Sequence, residues 1–217
     1  MAAGFSLIAW ASFLARPAYA PAISSLEKSN GDYITSPESS LRTPSELAAI
    51  VKDLDEDMIK KYSYITDNFW DDPEDILLAR LLLGEGEDCS EGEKVLILDT
   101  VTNRINDGED WNGTTIKSVV LASKQYSAFN KDLNAKLKHP LDYNPKDFFE
   151  DLVIAQKFLT GGYKDYSQGA TYYLRKDRLK KLPSWVDDMI EIGKINGSYH
   201  TFYIPKSLYK RQHKKAA

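Results

Sequence analysis

Glu85 has the clearest chemical setting in the chain. The run Ile76-Leu77-Leu78-Ala79-Arg80-Leu81-Leu82-Leu83-Gly84-Glu85 puts this carboxylate one step past the C-terminal end of a strongly apolar helix. A carboxyl at such a boundary is partly desolvated, and it meets the negative partial charge of the helix C-terminus. Both effects favour the protonated form. A carboxyl that keeps its proton near neutral pH is what general-acid cleavage of a glycosidic bond requires. Spacing alone leaves a second reading open, in which Glu85 is one of several surface acids in the loop Glu85-Gly86-Glu87-Asp88.

Other chemistries find less support. His139, His200 and His213 are isolated in sequence, and no H-E-x-x-H occurs. Asp142-x-Asn144 lacks the glycine and distal glutamate of a calcium loop. There is no G-x-S-x-G, phosphate-binding loop or G-x-G-x-x-G. A single cysteine, Cys89, excludes an intramolecular disulfide and a multi-cysteine zinc site, and reads as an incidental thiol. Neither a cofactor nor a metal is expected. Across 217 residues, 28 Lys+Arg against 32 Asp+Glu leave a formal charge of −4, which argues against a nucleic-acid partner. With 42% hydrophobic and 28% charged residues, collagen-like, disordered and polytopic membrane classes are excluded.

The elements that must position Glu85 are mostly helical. Thr43-Pro44-Ser45-Glu46, Asp72-Pro73-Glu74-Asp75 and Asn144-Pro145-Lys146-Asp147 each offer an N-cap, a proline at the first helical position and an acid three residues after the cap. Helices are therefore predicted near 44–61, 73–83 and 145–160, with Gly84 and Gly161-Gly162 after the last two. Val95, Leu98, Val101 and Ile105 form one apolar stripe and predict a helix over 91–106, ended by Asn106-Asp107-Gly108. A short helix is predicted at 114–122. Strand signals are confined to 170–174 and 199–204, which could pair antiparallel. The fold class is α+β, dominated by helix, with a small antiparallel β-sheet.

Residues 2–15 are almost uniformly apolar, too few for the ~20 residues that span a bilayer. They match the apolar region of a signal peptide with Ala18-Tyr19-Ala20 as cleavage site, although no Lys or Arg precedes them. The other reading is a docking segment, so residues 2–20 could engage a partner protein or a membrane. Segment 1–42 thus reads as this extension plus a Ser/Pro/Asn/Gly-rich linker, 43–72 as an acidic buttressing helix and connection, and 73–205 as the catalytic domain. Residues 206–217 read as a basic tail, solvated and frayed or held to an acidic partner.

At these residues the sequence resembles the SleB-type, spore cortex-lytic family of cell wall hydrolases. Leu81-Leu82-Leu83-Gly84-Glu85 begins the resemblance, and Asn103-Arg104 follows 18 residues after Glu85. Gln125-Tyr126-Ser127-Ala128-Phe129, Gly169-Ala170-Thr171-Tyr172-Tyr173 and His200-Thr201-Phe202-Tyr203 continue it in order across roughly 76–204. Gly86 stands where the family usually has Ala, Glu87-Asp88-Cys89 replaces the common Arg-Gly-Glu, and Leu174-Arg175 replaces Asn-Pro. The resemblance implies a lysozyme-like fold acting on peptidoglycan glycan strands outside the cytoplasm, after secretion or as part of a phage virion. It implies a lytic transglycosylase with Glu85 as the single acid/base.

Beside the resemblance, Gln125 and Ser127 could hydrogen-bond sugar hydroxyls or orient Glu85, and Tyr126 falls in the same segment. Tyr172 and Tyr173 alternate faces along a strand, so one should face the core and the other a sugar-stacking groove. His200 closes the sheet or contacts substrate. Asn103 is expected in a supporting role, bonding the Glu85 loop. Trp70, Trp111 and Trp185 read as core anchors. A hydrolytic muramidase or an inactive wall-binding component would be the rival functions. The muramidase needs a second carboxylate, with Asp107, Glu109 and Asp110 as candidates.

Overall fold

The computed structural model describes residues 68–130, 135–193 and 197–214. The N-terminal segments and the helix predicted over 44–61 lie outside the described residues. Those described build seven α-helices and one three-stranded sheet, an α+β fold that is mainly helical. No helix among them is long and apolar enough to cross a membrane.

Helix α1 (Glu74–Glu85) is the centre of the core. Every residue from Ile76 to Leu83 is buried, as expected of a helix apolar all round. It is covered by α6 (Pro145–Leu159), whose Phe148, Phe149, Leu152, Ile154, Ala155 and Phe158 face inward. One cation sits in this apolar column. Arg80 is fully buried, and its guanidinium pairs with Asp72 at 2.9 Å, lies over the Phe69 ring and donates to the Leu137 carbonyl. A buried charge persists only when paired. Asp72, expected as the N-cap of α1, is accordingly turned to Arg80, and the helix starts after Pro73 without a side-chain cap.

Helix α2 (Glu91–Asn106) has the predicted bounds, with Ser90 as N-cap. The segment predicted at 114–122 forms the shorter α3 (Ile116–Val120), entered through a reciprocal Thr115–Ser118 capping box. Two four-residue helices, α4 (Ala135–Lys138) and α5 (Pro140–Tyr143), lead into α6. The Asn144 side chain caps α6 by accepting from the Asp147 N–H, and Pro145 takes the first helical position as predicted.

The sheet holds β1 (Tyr172–Leu174), β2 (Met189–Gly193) and β3 (Thr201–Pro205) in the order β1-β3-β2. β1 and β3 pair antiparallel as expected, with Tyr172 opposite Tyr203 and Tyr173 opposite Phe202. β2 is a strand that sequence reading misses. It pairs with the other side of β3 and bulges between Glu191 and Gly193. Tyr199 and His200, expected in β3, lie ahead of it because the Glu93 carboxylate takes their backbone N–H groups. The basic tail does not fray over 206–214. It forms α7 (Lys206–Lys214), which buries Leu208 against the sheet and pairs Arg211 with Glu109 at 2.6 Å.

Candidate active site

Glu85 is the last residue of α1 rather than the first beyond it, and the Gly86 N–H closes the helix on the Leu82 carbonyl. Gly84 lets a second segment reach this helix end. A Cβ placed on Gly84 would lie 2.3 Å from the Ala128 Cβ, so any side chain there would push the 127–129 turn away. With glycine in place the turn closes on the carboxylate. The Ser127 hydroxyl donates to Glu85 Oε1 at 2.9 Å and the Ala128 N–H donates to the same oxygen at 2.7 Å. Charge-assisted bonds of this kind are stronger than neutral ones and fix direction. Glu85 itself is half-buried.

Two tyrosines form the floor. Tyr126 is buried, its hydroxyl 3.2 Å from Thr100 Oγ1, and the Arg104 guanidinium lies 4.8 Å from its ring centre. Its burial sets it apart from the exposed Ser127 that follows it. Tyr173 packs on Tyr126, on the edge of His200 and on Phe202. Its hydroxyl is buried beside the Glu85 carboxylate. Burial first, then the nearby Glu85 charge, pushes this phenol well above its ordinary pKa, so it stays a neutral hydroxyl beside the carboxylate. Tyr172 points the other way along β1 and packs on Trp185 and Arg104.

Asn103 does not bond the Glu85 loop. Its amide donates to Ser167 Oγ at 2.7 Å and to the Ala170 carbonyl at 2.8 Å, while Arg104 Nε donates to the Thr171 carbonyl. The pair thus fastens the segment entering β1, and with it Tyr172 and Tyr173. Arg104, wedged between the Tyr126 and Tyr172 rings, is a positioning residue that sequence reading passed over. Gln125 is half-buried and enters the turn through its backbone N–H on the Ala122 carbonyl.

The loop after Glu85 is anchored at both ends. Glu87 pairs with Lys136 at 2.6 Å and accepts from the Tyr143 hydroxyl; partial burial would raise its pKa, but these two donors hold it below the ordinary value. Burial, then the Glu93 charge, pushes the Cys89 thiol up to about 12, which leaves it a poor nucleophile. His200 is buried and its Nδ1 lies 2.7 Å from Glu93 Oε1. Glu93 is the second residue that sequence reading missed.

Two of the three second-carboxylate candidates, Asp107 and Glu109, are engaged by neighbours. Asp107 accepts from the Glu109 N–H and the Asn112 amide, and Glu109 holds Arg211 of α7. Trp70 and Trp111 are not core anchors: they are 57% and 66% exposed, since the core is already filled by α1, α2 and α6. Trp185 is half-buried between Tyr172 and Tyr203.

A family model described as Cell Wall Hydrolase matches residues 88–203, more than half of the chain. The matched span takes in Asn103, Gln125 to Ser127, Tyr172, Tyr173 and His200, and it opens just after Glu85. No curated protein and no solved structure matches the chain.

Proposed function

This chain belongs to the cell wall hydrolase family, a family of peptidoglycan-degrading function, and we propose that it cleaves the bond between N-acetylmuramic acid and N-acetylglucosamine as a lytic transglycosylase. The observation that carries this reading is the pair of donors on one oxygen of Glu85. With Oε1 accepting from Ser127 and Ala128, the proton of the neutral acid belongs on Oε2. That oxygen is then the one to protonate the glycosidic oxygen as the C1–O bond breaks. The resulting carboxylate takes the proton from the muramyl 6-hydroxyl, whose oxygen bonds to C1 and closes a 1,6-anhydro ring. The substrate supplies the nucleophile, so no second carboxylate is needed. This fits the engagement of Asp107 and Glu109 with Asn112 and Arg211.

In this reading Ser127 and the Ala128 N–H orient the acid, Tyr173 offers a neutral hydroxyl beside it, and Asn103 with Arg104 fixes the strand that carries Tyr173. Gln125 borders the sugar-binding face and His200 shapes it from below, while Tyr172, on the other face of β1, packs on Trp185 and Arg104. Mass analysis of fragments from purified sacculi tests the assignment. Fragments ending in 1,6-anhydromuramic acid support it, and reducing ends would assign the chain to the muramidases instead.

Family membership fits action outside the cytoplasm. Residues 2–20 would serve either export or docking onto a partner in an assembly such as a phage virion. N-terminal sequencing of the natural protein separates the two. A mature start near Pro21 means secretion, and an intact Met1 with a partner on residues 2–20 means docking.

A further inference from the structure

Beside the Glu85 site lies a cluster of donor groups to which the proposed glycan chemistry assigns no bond or proton transfer. Cys89 from the loop after α1, Glu93 from the first turn of α2 and His200 at the entrance to β3 converge from separate elements. Cys89 Sγ lies 3.7 Å from His200 Nδ1, which lies 2.7 Å from Glu93 Oε1, and one donor atom from each residue falls within 4.8 Å of the others. Glu93 and His200 are 1% and 4% exposed, while Cys89 is half-buried and forms the side open to solvent.

We propose that Cys89, Glu93 and His200 bind one divalent transition-metal ion of the zinc class. The donor set selects the metal. A thiolate and an imidazole suit a borderline-soft ion, whereas calcium and magnesium take oxygen donors. Metal bonds of about 2.3 Å to sulfur and about 2.1 Å to nitrogen or oxygen put donors about 3.4–3.6 Å apart around a tetrahedral ion. The Cys89–His200 separation is already close to this, and the His200–Glu93 pair must open by under about 1 Å. Glu93 Oε1 also accepts the N–H groups of Tyr199 at 2.9 Å and His200 at 2.7 Å, which hold the carboxylate at the cluster.

Charge supplies the second argument. Glu93 is a buried carboxylate, and the side chains at its Oε1 and beside it are His200 and Cys89. A cation held by three donors compensates that burial more fully than a shared proton does. The ion would tie the loop following Glu85 to α2 and to β3. The isolation of the histidines in sequence does not bear on this, because folding brings His200 to residues more than a hundred positions away.

The chain's single cysteine makes the test direct. Reduced, metal-free protein is titrated with Co2+ and followed by absorption. A one-to-one complex with a thiolate-to-cobalt charge-transfer band in the near ultraviolet is expected, together with visible bands of tetrahedral intensity. Zn2+ should displace the cobalt and raise the thermal midpoint. Cys89→Ser, checked for folding by circular dichroism, should lose the near-ultraviolet band and the thermal shift, and Glu93→Gln should weaken Co2+ binding at least tenfold. Absence of the charge-transfer band, or its persistence in Cys89→Ser, overturns the proposal. It is also overturned if nitrogen chemical shifts show His200 as an imidazolium on Glu93 with Zn2+ in excess. None of these readings depends on the role given to Glu85.

Discussion

The Ser127 hydroxyl donates to Glu85 Oε1 at 2.9 Å, joining a turn to the end of α1 across 42 residues of sequence. Together with the Ala128 N–H on the same atom, it fixes Oε1 of the carboxylate. Removing the hydroxyl by Ser127→Ala should cost about 1.5–3 kcal/mol, the worth of a bond to a charged group. In kcat this is a fall of about 10–100-fold, with KM little changed because no sugar contact is lost. An unchanged kcat would remove Ser127 from the orientation of Glu85.

Gly84 makes that turn possible, since a Cβ there would meet Ala128 Cβ at 2.3 Å. Gly84→Ala should therefore lower both activity and the urea midpoint, at the ~1–3 kcal/mol typical of overpacking. Adding Ala128→Gly removes the opposing methyl and should recover most of the loss. Coupled sites are non-additive, so a double variant whose losses simply add would show that this contact does not govern the approach.

The buried pair of Lys94 and Asp151, 2.7 Å apart, makes stability depend on pH. Burial pushes Asp151 up to about 7 against the opposing pull of Lys94. Its ordinary value is 3.8, so between about 4 and about 7 the native state keeps a proton that the unfolded chain has released. Stability from this group is present at the acid end of that window and falls as pH rises through it. Asp151→Leu alone, which strands Lys94, should cost about 3–5 kcal/mol, whereas Lys94→Met with Asp151→Leu should be neutral or stabilising at pH 7. The double variant should also flatten the slope of unfolding free energy against pH over the window. A slope equal to that of the wild type would contradict the assignment.

Trp70 is 57% exposed, and its neighbour Phe69 packs edge-on against Phe129, the residue that closes the turn holding Glu85. An indole held in solvent at that place suits stacking on a sugar ring. Trp70→Ala should reduce co-sedimentation with sacculi several-fold, while the unfolding free energy stays within about 0.5 kcal/mol, as for a surface change. Undiminished co-sedimentation would mean that the indole contacts no glycan.

The bounds of α2, the Asn144 cap of α6 and the β1–β3 pairing are legible in the sequence because each rests on local spacing: an apolar stripe, an Asn-Pro start, two aromatic strands. Partner choice is not local. Asp72 has the spacing of an N-cap, yet it pairs with Arg80, because an arginine inside the core needs a carboxylate more than a helix end does. Glu93 follows Ser90 at the spacing of a capping box, yet its carboxylate crosses to Tyr199 and His200, a connection of more than a hundred residues. β2 is a short strand whose Ile190 and Ile192 flank Glu191, too brief a pattern to read without the strand it pairs with. The exposure of Trp70 and Trp111 was likewise hidden, since residue type gives an indole's size and not its neighbours. The place of Glu85 at the end of an apolar helix is legible in the sequence. The close approach of Gly84 to Ala128, which orients Glu85, is not.

The most direct test of the central claim compares wild type with Glu85→Gln on purified sacculi, with the soluble fragments read by mass analysis. Glutamine keeps an oxygen for Ser127 and Ala128 but cannot give up or take the transferred proton. Wild type should release fragments ending in 1,6-anhydromuramic acid, and a folded Glu85→Gln protein should release none above background. Equal release by the two proteins would contradict the account.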